Sequence, residues 1–325
     1  MSATLGATAV RACGPVVALC GGVGGAKLAD GLARVLGADQ LLVVVNTADD
    51  FRHLGLWISP DIDSVLYALA GLSDAQRGWG RRDETWNFMA ALQQLQGPDW
   101  FQLGDADLAT HVERTRRLAA GESLTGVTDA MRRALGISAR VVPMSDDPVC
   151  TRLLTDAGWL EFQHYFVRHR CAPAVQRIEF AGAAQARPQP EVLAALARPD
   201  LRAVVICPSN PFVSIEPILA LPGMRAALQA CAAPVVGVTP IIGGQAIKGP
   251  AAKMLQELGC EVSGTGVARR YTGLIDAFII DQADELPAAF GDIALRQAAT
   301  LMRVPADREQ LALAVLAVAD AVQRE

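Results

Sequence analysis

The sequence predicts an α/β protein: a Rossmann-like, doubly wound, mainly parallel sheet with an all-helical insertion. Short, continuously apolar runs rich in β-branched residues alternate with helical patterns along much of the chain. Such runs are strands buried on both faces, and the alternation implies crossover helices. The first run leads directly into a four-glycine segment and then a helix, the arrangement of a phosphate-binding strand–turn–helix. Between Ser73 and Leu135 the strand signal disappears and helical periodicity takes over. The core is therefore placed at residues 1–72 and 138–325, and the insertion at 73–137.

Val16-Val17-Ala18-Leu19 reads as the first buried strand. Ala26–Leu36 follows as a helix with Leu28, Leu32 and Val35 on one face. Leu41–Val45 is a second strand and Ile62–Leu72 a second helix. Trp86–Leu95, Ala106–Ala119 and Leu124–Leu135, the last begun near Ser123, are the insertion's helices. Strands resume at Ser138–Val142, and Leu160–Arg168 reads as another, with His164 inside its pattern and His169 directly after it. Gly182–Pro190 is the best linker, leading into a helix at Glu191–Ala197. Leu201–Cys207 and Pro234–Val238 are strong buried strands, and Phe278–Asp281 reads as the last strand. Pro305 divides the alanine-rich stretch Gln297–Gln323 into two amphipathic surface helices.

Composition narrows the function. With 51% hydrophobic residues the chain is not disordered, and a net charge of −5 argues against a nucleic-acid partner. Seven cysteines, from Cys13 to Cys260, form no C-x-x-C pair and read as reduced core residues. Met1–Ala12 has no basic start followed by a long apolar stretch, and no run reaches the ~20 apolar residues of a membrane span. A cytoplasmic protein without a membrane partner is expected.

Ligands of open α/β sheets bind outside the carboxyl ends of the strands, so the following loops carry the functional reading. After the first strand comes Gly21-Gly22-Val23-Gly24-Gly25-Ala26-Lys27. It suits a phosphate at a helix start, yet it matches neither G-x-G-x-x-G nor the Walker pattern. Without the Walker hydroxyl, magnesium must be held elsewhere. The second strand leads to Asn46-Thr47-Ala48-Asp49-Asp50, His53, and then Asp61 and Asp63 at the next helix. Asp61 is placed to cap that helix, but four carboxylates exceed what capping needs. Hard oxygen ligands beside a phosphate loop suit Mg²⁺. Pro208-Ser209-Asn210-Pro211 follows another strand, with Ser214 expected to cap a helix. Gly243-Gly244 and Lys248-Gly249 follow the next, with Lys253 one turn onward; Lys27, Lys248 and Lys253 are the chain's three lysines. A compact ammonium fits beside a phosphate more readily than a planar guanidinium does, which sets these lysines apart from the many arginines. Arg77-Gly78-Trp79-Gly80 offers guanidinium and indole faces to an aromatic ligand.

The glycine segment, Asn46–Phe51, Gly55–Val65, Arg77–Gly80, Phe162–Val167, Pro208–Pro211 and Ile247–Pro250 together resemble the 2-phospho-L-lactate transferase family (CofD, or FbiA in actinobacteria). The matches run in order from about Val16 to Asp281, so the ordered set is far more specific than one glycine loop. The resemblance implies coenzyme F-420 biosynthesis. The terminal ribityl hydroxyl of the deazaflavin alcohol Fo attacks the phosphorus next to the acid of a guanosine diphosphate-linked phospho-acid, and GMP leaves. The acid is 2-phospholactate, phosphoenolpyruvate or 3-phosphoglycerate. It further implies Mg²⁺ dependence and a homodimer. On this reading Gly21, Gly22, Gly24, Gly25 and Lys27 serve the Fo and phosphate side. Asn46, Thr47 and His53 line the substrate site. Ser209, Asn210 and Lys248 take the guanosine diphosphate, and Arg77 and Trp79 the Fo or acid-phosphate end. Asp49, Asp50 and Asp63 are catalytic, and Asp49, Asp50, Asp61 and Asp63 bind metal. The alternative is a nucleotide-sugar or phosphate-binding relative with no deazaflavin activity. A dinucleotide-binding sensor is disfavoured, since an acidic cluster without a metal repels a pyrophosphate.

Overall fold

The structure is a computed structural model that describes residues 14–287 and 290–322. Cys13 and the leader reading at Met1–Ala12 lie outside the described residues.

In chain order the first half comprises β1 (Val16–Cys20), α1 (Gly22–Val35), β2 (Leu41–Val45), β3 (Phe51–His53), β4 (Leu56–Ile58) and α2 (Pro60–Leu69). Three helices follow, α3 (Asn87–Gln94), α4 (Asp105–Ala119) and α5 (Leu124–Ala134). Then come β5 (Arg140–Pro143), β6 (Cys150–Thr155), β7 (Gly158–Glu161), a π-helical turn at His164–Arg168, and β8 (Val175–Ala181). Next are α6 (Pro190–Leu196), β9 (Ala203–Ile206), a second π-helical turn at Pro211–Ile215, α7 (Glu216–Leu219) and α8 (Met224–Ala230). The chain closes with β10 (Val235–Val238), the short hairpin β11 (Ile241–Ile242) and β12 (Gln245–Ala246), α9 (Ala251–Glu257), α10 (Gly264–Arg270), β13 (Ala277–Asp281), β14 (Ala294–Ala298) and α11 (Pro305–Ala321).

The central sheet has the order β14-β13-β10-β9-β1-β2-β5, and its neighbours pair in parallel. Val16 pairs with Leu41 on one side and with Ala203 on the other, which puts β1 at the point where strand order reverses. Alternate residues divide between two cores. Val17 and Leu19 face one with Val204, Ile206 and Phe278, while Val16, Ala18 and Cys20 face the other with Leu28, Leu32, Leu311 and Val315. Each large side chain so buried contributes ~1.5–3 kcal/mol. Both faces are covered, which is why the strands read as continuous apolar runs.

Several sequence expectations are corrected. Helix α1 starts at Gly22, four residues before Ala26, because packing overrides glycine's weak helix propensity. Residues 160–168 are not one strand: β7 ends at Glu161, and His164 lies in a π-helical turn with His169 just after it. Phe278–Asp281 is not the last strand, since β14 adds to the sheet edge beside β13. Residues 182–190 are no interdomain linker, for Ala183 and Ala186 sit in the main core. Pro305 begins a single helix rather than separating two, in the first-turn position that suits its missing N–H. That helix is packed on α1, with Leu311, Ala312 and Val315 buried. Ser214 lies inside the second π-helical turn, whose start is capped by Asn210 instead.

Candidate active site

A cleft of about 640 Å³ opens beyond the carboxyl ends of β1, β9 and β10, at the reversal of strand order. The start of α1 forms its floor. Gly22 has φ +64 in open space, so there glycine serves the backbone conformation. Gly24 and Gly25 serve close approach. A Cβ on Gly24 would lie 2.4 Å from the Pro208 carbonyl oxygen, and one on Gly25 would lie 2.5 Å from Ser209 Oγ. One on Gly21 would lie 2.6 Å from Ser214 Cβ. The glycines thus let the helix press against the 208–214 segment from the neighbouring strand.

The same junction organises the carboxylates. Gly21 N–H donates to Ser209 Oγ at 3.2 Å, and Gly22 N–H to Asp61 Oδ1 at 2.8 Å. Asp61 therefore caps α1 and not its own helix, α2. Asn46 Nδ2 donates to Asp61 Oδ2 at 2.9 Å and to the Val213 carbonyl at 3.2 Å, while its Oδ1 accepts from Ala48 N–H. Asn46 is consumed in holding this corner, and neither it nor Thr47 lines the cleft. Asp49, Asp61 and Asp63 do line it, all buried. Asp49 Oδ1 is enclosed without a hydrogen-bond partner. Burial, and then the neighbouring Asp61 and Asp50, raise the Asp49 carboxyl well above the ordinary carboxylate range. Burial lifts Asp61 to about 6 against its hydrogen bonds from Asn46 and Gly22. Asp50 stands behind the cleft wall, held by Ser59 Oγ at 2.6 Å and by the Trp57 indole at 3.2 Å. Burial pushes it up to about 8 although Ser59 and Arg114 oppose the rise.

These shifts have a measurable consequence. A carboxyl that titrates at about 6 or 8 when folded, but near 4 when unfolded, binds protons more tightly in the native state. Metal-free stability is therefore expected to fall as pH rises from about 4 through 8. Asp50→Asn should raise the thermal midpoint strongly at pH 8 and change it little below about pH 4, where the unfolded carboxyl is protonated too. An equal fall in wild type and variant would contradict the placement.

Two of the lysines face the cleft. Lys27 Nζ donates to the Met302 carbonyl at 2.7 Å, and Lys248 Nζ to the Gly78 carbonyl at 2.6 Å. Burial lowers both, with Arg308 and Lys248 adding to the effect on Lys27. Lys253 points elsewhere, to the Pro173 carbonyl, Glu257 and the Tyr165 ring. Trp79 lies at the cleft rim, 47% exposed and edge-on to Trp86, on whose ring Arg77 stacks at 4.4 Å. Ser209 and Asn210 line the cleft, Ser209 buried beside Gly21. Gly25 and His53 do not. His53 packs edge-on to Trp100 and beside Phe51 and Phe101, where burial lowers its affinity for a proton.

The cleft also contains groups that the sequence reading passed over. Phe162 and Phe166, stacked at 5.4 Å and 8°, form an apolar wall. Thr300–Met302 closes one side, fixed by Thr300 N–H and Oγ1 donating to Asp281. Helix α4 supplies Asp107 and His111, which line the cleft, and Arg114, which grips Asp63 from behind. Their spacing of four and three residues puts all three on one helix face, a polar stripe readable in the sequence. The β3–β4 hairpin carries α4 to this position, as Trp57 N–H donates to Thr115 Oγ1 at 2.7 Å.

Comparison with known proteins agrees with this architecture. The family described as 2-phospho-L-lactate transferase CofD matches residues 16–321. A phosphoenolpyruvate transferase of Kitasatospora aureofaciens is 42% identical over 95% of this chain and 98% of its own length. A 2-phospho-L-lactate transferase of Methanosarcina barkeri is 38% identical over 94% of this chain and 99% of its own. A solved UPF0052-family structure from Bacillus halodurans superimposes with a TM-score of 0.64 over 93% of this chain and 99% of its own, at 15% identity, and so shares the fold. With its reversal-point cleft and a family match running through nearly every described element, the chain belongs to the CofD family of 2-phospho-L-lactate transferases.

Proposed function

We propose that this chain transfers a phospholactyl-type group from a guanosine diphosphate-linked donor to the terminal hydroxyl of Fo, with release of GMP. The transferred acid is 2-phospholactate, phosphoenolpyruvate or 3-phosphoglycerate. One observation carries the reading: two partly desolvated lysines and a buried, mutually repelling carboxylate pair line the same cleft. Lys27 and Lys248 are bonded to backbone carbonyls and form no ion pair among the described residues. Their charge is thus available to phosphate oxygens. Phosphoryl transfer of this kind is mostly positioning and charge neutralisation, and a loose transition state needs little base help.

The carboxylates fit a divalent cation. Asp49 keeps an enclosed oxygen without a partner, and the neighbouring Asp61 adds to the cost that burial sets on its ionisation. Asp49 and Asp61 would hold Mg²⁺. When bound, the ion supplies charge neutralisation at the diphosphate and leaving group. The chain's own residues do the rest. Asn46 fixes Asp61, the α1 start and Ser209 fix the backbone under the donor, and Phe162 with Phe166 offers a flat apolar face to an aromatic ring. Identity of 42% and 38% to proteins named as phosphoenolpyruvate and 2-phospho-L-lactate transferases supports this reading over a nucleotide-sugar-binding relative. Among the described residues no helix is long and apolar enough to cross a membrane. A cytoplasmic homodimer accompanies the proposal, and sedimentation would test the dimer.

Lys248→Met should raise the donor KM roughly 10- to 100-fold, the size of one charge-assisted hydrogen bond, with a smaller effect on the KM for Fo. Equal donor KM values would remove Lys248 from the donor site.

A further inference from the structure

The cleft has a second constellation that looks like a metal site. Asp63, Asp107 and His111 each bring one ligand atom within 4.8 Å of the others. Helix α2 supplies the first and helix α4 the other two. His111 Nδ1 lies 3.6 Å from Asp63 Oδ2, and Nε2 lies 3.3 Å from Asp107 Oδ2. Two-metal phosphoryl-transfer sites place a second cation a few ångströms from the first. Here the position beside Asp63 and His111 is filled by protein. Arg114 is 0% exposed, donates from both terminal nitrogens to Asp63, and approaches His111 Nδ1 at 3.2 Å. A bond accepted at Nδ1 leaves the ring proton on Nε2, facing Asp107, so neither nitrogen offers a free lone pair. Tyr67 Oη donates to Asp107 at 2.6 Å and takes up a further ligand oxygen.

We propose that Arg114 is a built-in cation occupying the second metal position, so that this cleft takes at most one divalent ion. The guanidinium is always charged, its planar fork matches a carboxylate bidentately, and it needs no ion from solution. Arg114 is a positioning residue that acts through Asp63. It fixes the charge at that corner and ties the helical insertion to the sheet domain. The claim rests on the proposed reaction only for its meaning, and its test needs no substrate.

The test counts Mn²⁺ bound per full-length chain, by electron paramagnetic resonance, in the absence of any nucleotide. Arg114→Met should bind one more Mn²⁺ per chain than wild type, because Asp63 and His111 lose the cation that satisfies them and stand with Asp107 as three free ligand groups. Arg114→Met combined with His111→Ala should return to the wild-type count. Arg114→Lys should show no additional ion, since an ammonium keeps the charge. If Arg114→Met fails to fold, the wild-type protein still decides. A wild-type site that disappears in His111→Ala but persists in Asp61→Asn would mean that a metal, not Arg114, occupies the corner. A folded Arg114→Met with the wild-type count would equally overturn the proposal. Should wild type bind no Mn²⁺, the Mg²⁺ assignment to Asp49 and Asp61 fails, while a gain of one ion in Arg114→Met still supports this one.

Discussion

Replacing Asp61 with asparagine is expected to lower turnover roughly 100- to 1000-fold while the chain stays folded, the scale of losing one preorganised charged group in a phosphoryl-transfer site. The expectation follows from the residue's double engagement. Asp61 receives Gly22 N–H on one oxygen and Asn46 Nδ2 on the other, and it lines the cleft beside Asp49. An asparagine can keep the Gly22 bond, but its amide nitrogen then faces the Asn46 amide nitrogen. Asn46 cannot turn over without losing its bond from Ala48 N–H. A donor left facing a donor costs about 1–3 kcal/mol. Against that, removing one of two buried like charges relieves repulsion on Asp49. The opposing terms leave stability near wild type and put the loss into turnover and divalent-ion affinity. Wild-type kcat in a folded Asp61→Asn protein would remove Asp61 from the chemistry.

Gly24→Ala is expected to be the most disruptive change in the glycine segment. Its new Cβ would meet the Pro208 carbonyl oxygen at 2.4 Å, and backbone cannot swing aside as a flexible side chain can. Separating α1 from the 208–214 segment should cost ~1–3 kcal/mol. It also displaces the Gly21–Ser209 and Gly22–Asp61 bonds, and a misplacement of about 1 Å can cost ~100-fold in rate. Gly22→Ala is the control. Nothing lies within 4 Å of its Cβ, so the cost is only the ~1–2 kcal/mol of a left-handed residue at φ +64, with turnover largely kept. Chemical denaturation and initial rates for the pair give the order. A Gly22→Ala protein less active than Gly24→Ala would mean that the segment works by backbone conformation and not by close packing.

The parallel sheet was legible because its strands are buried on both faces. Leu41–Val45 needs no partner to be read as a strand, and both its ends were placed as observed. The antiparallel sheet of β6, β7 and β8 was not legible. Cys150–Thr155 alternates buried and half-buried residues, and its polar positions Thr151 and Arg152 dilute the apolar signal. Strand β14 is similar, since Arg296 and Gln297 sit on an exposed sheet edge. The aromatic pattern at 162–167 resembled a strand because a π-helical turn brings Phe162 and Phe166 to one wall with a spacing that alternation also allows.

At the site, glycines, lysines and carboxylates were legible as chemistry, but not which way each side chain faces. Asp61 and Asp63 are two residues apart on α2, yet one caps α1 and the other is gripped by Arg114. Asp49 and Asp50 are adjacent, yet one lines the cleft and the other stands behind it. Those assignments are made by tertiary partners distant in sequence, 51 residues away in the case of Asp63 and Arg114. The partner helix itself carried a readable stripe at Asp107, His111 and Arg114, which on an amphipathic helix passes for solvated surface.

The central claim is that this cleft joins a phospho-acid to Fo through a phosphodiester. The direct measurement is mass spectrometry of the purified protein's products with Fo, Mg²⁺ and the three guanosine diphosphate-linked donors in competition, with GMP followed in the same reaction. The account predicts a single Fo–phospho-acid conjugate formed one-for-one with GMP, in wild type and not in Asp61→Asn. Consumption of donor without any Fo conjugate, or a conjugate formed equally by Asp61→Asn, would contradict it.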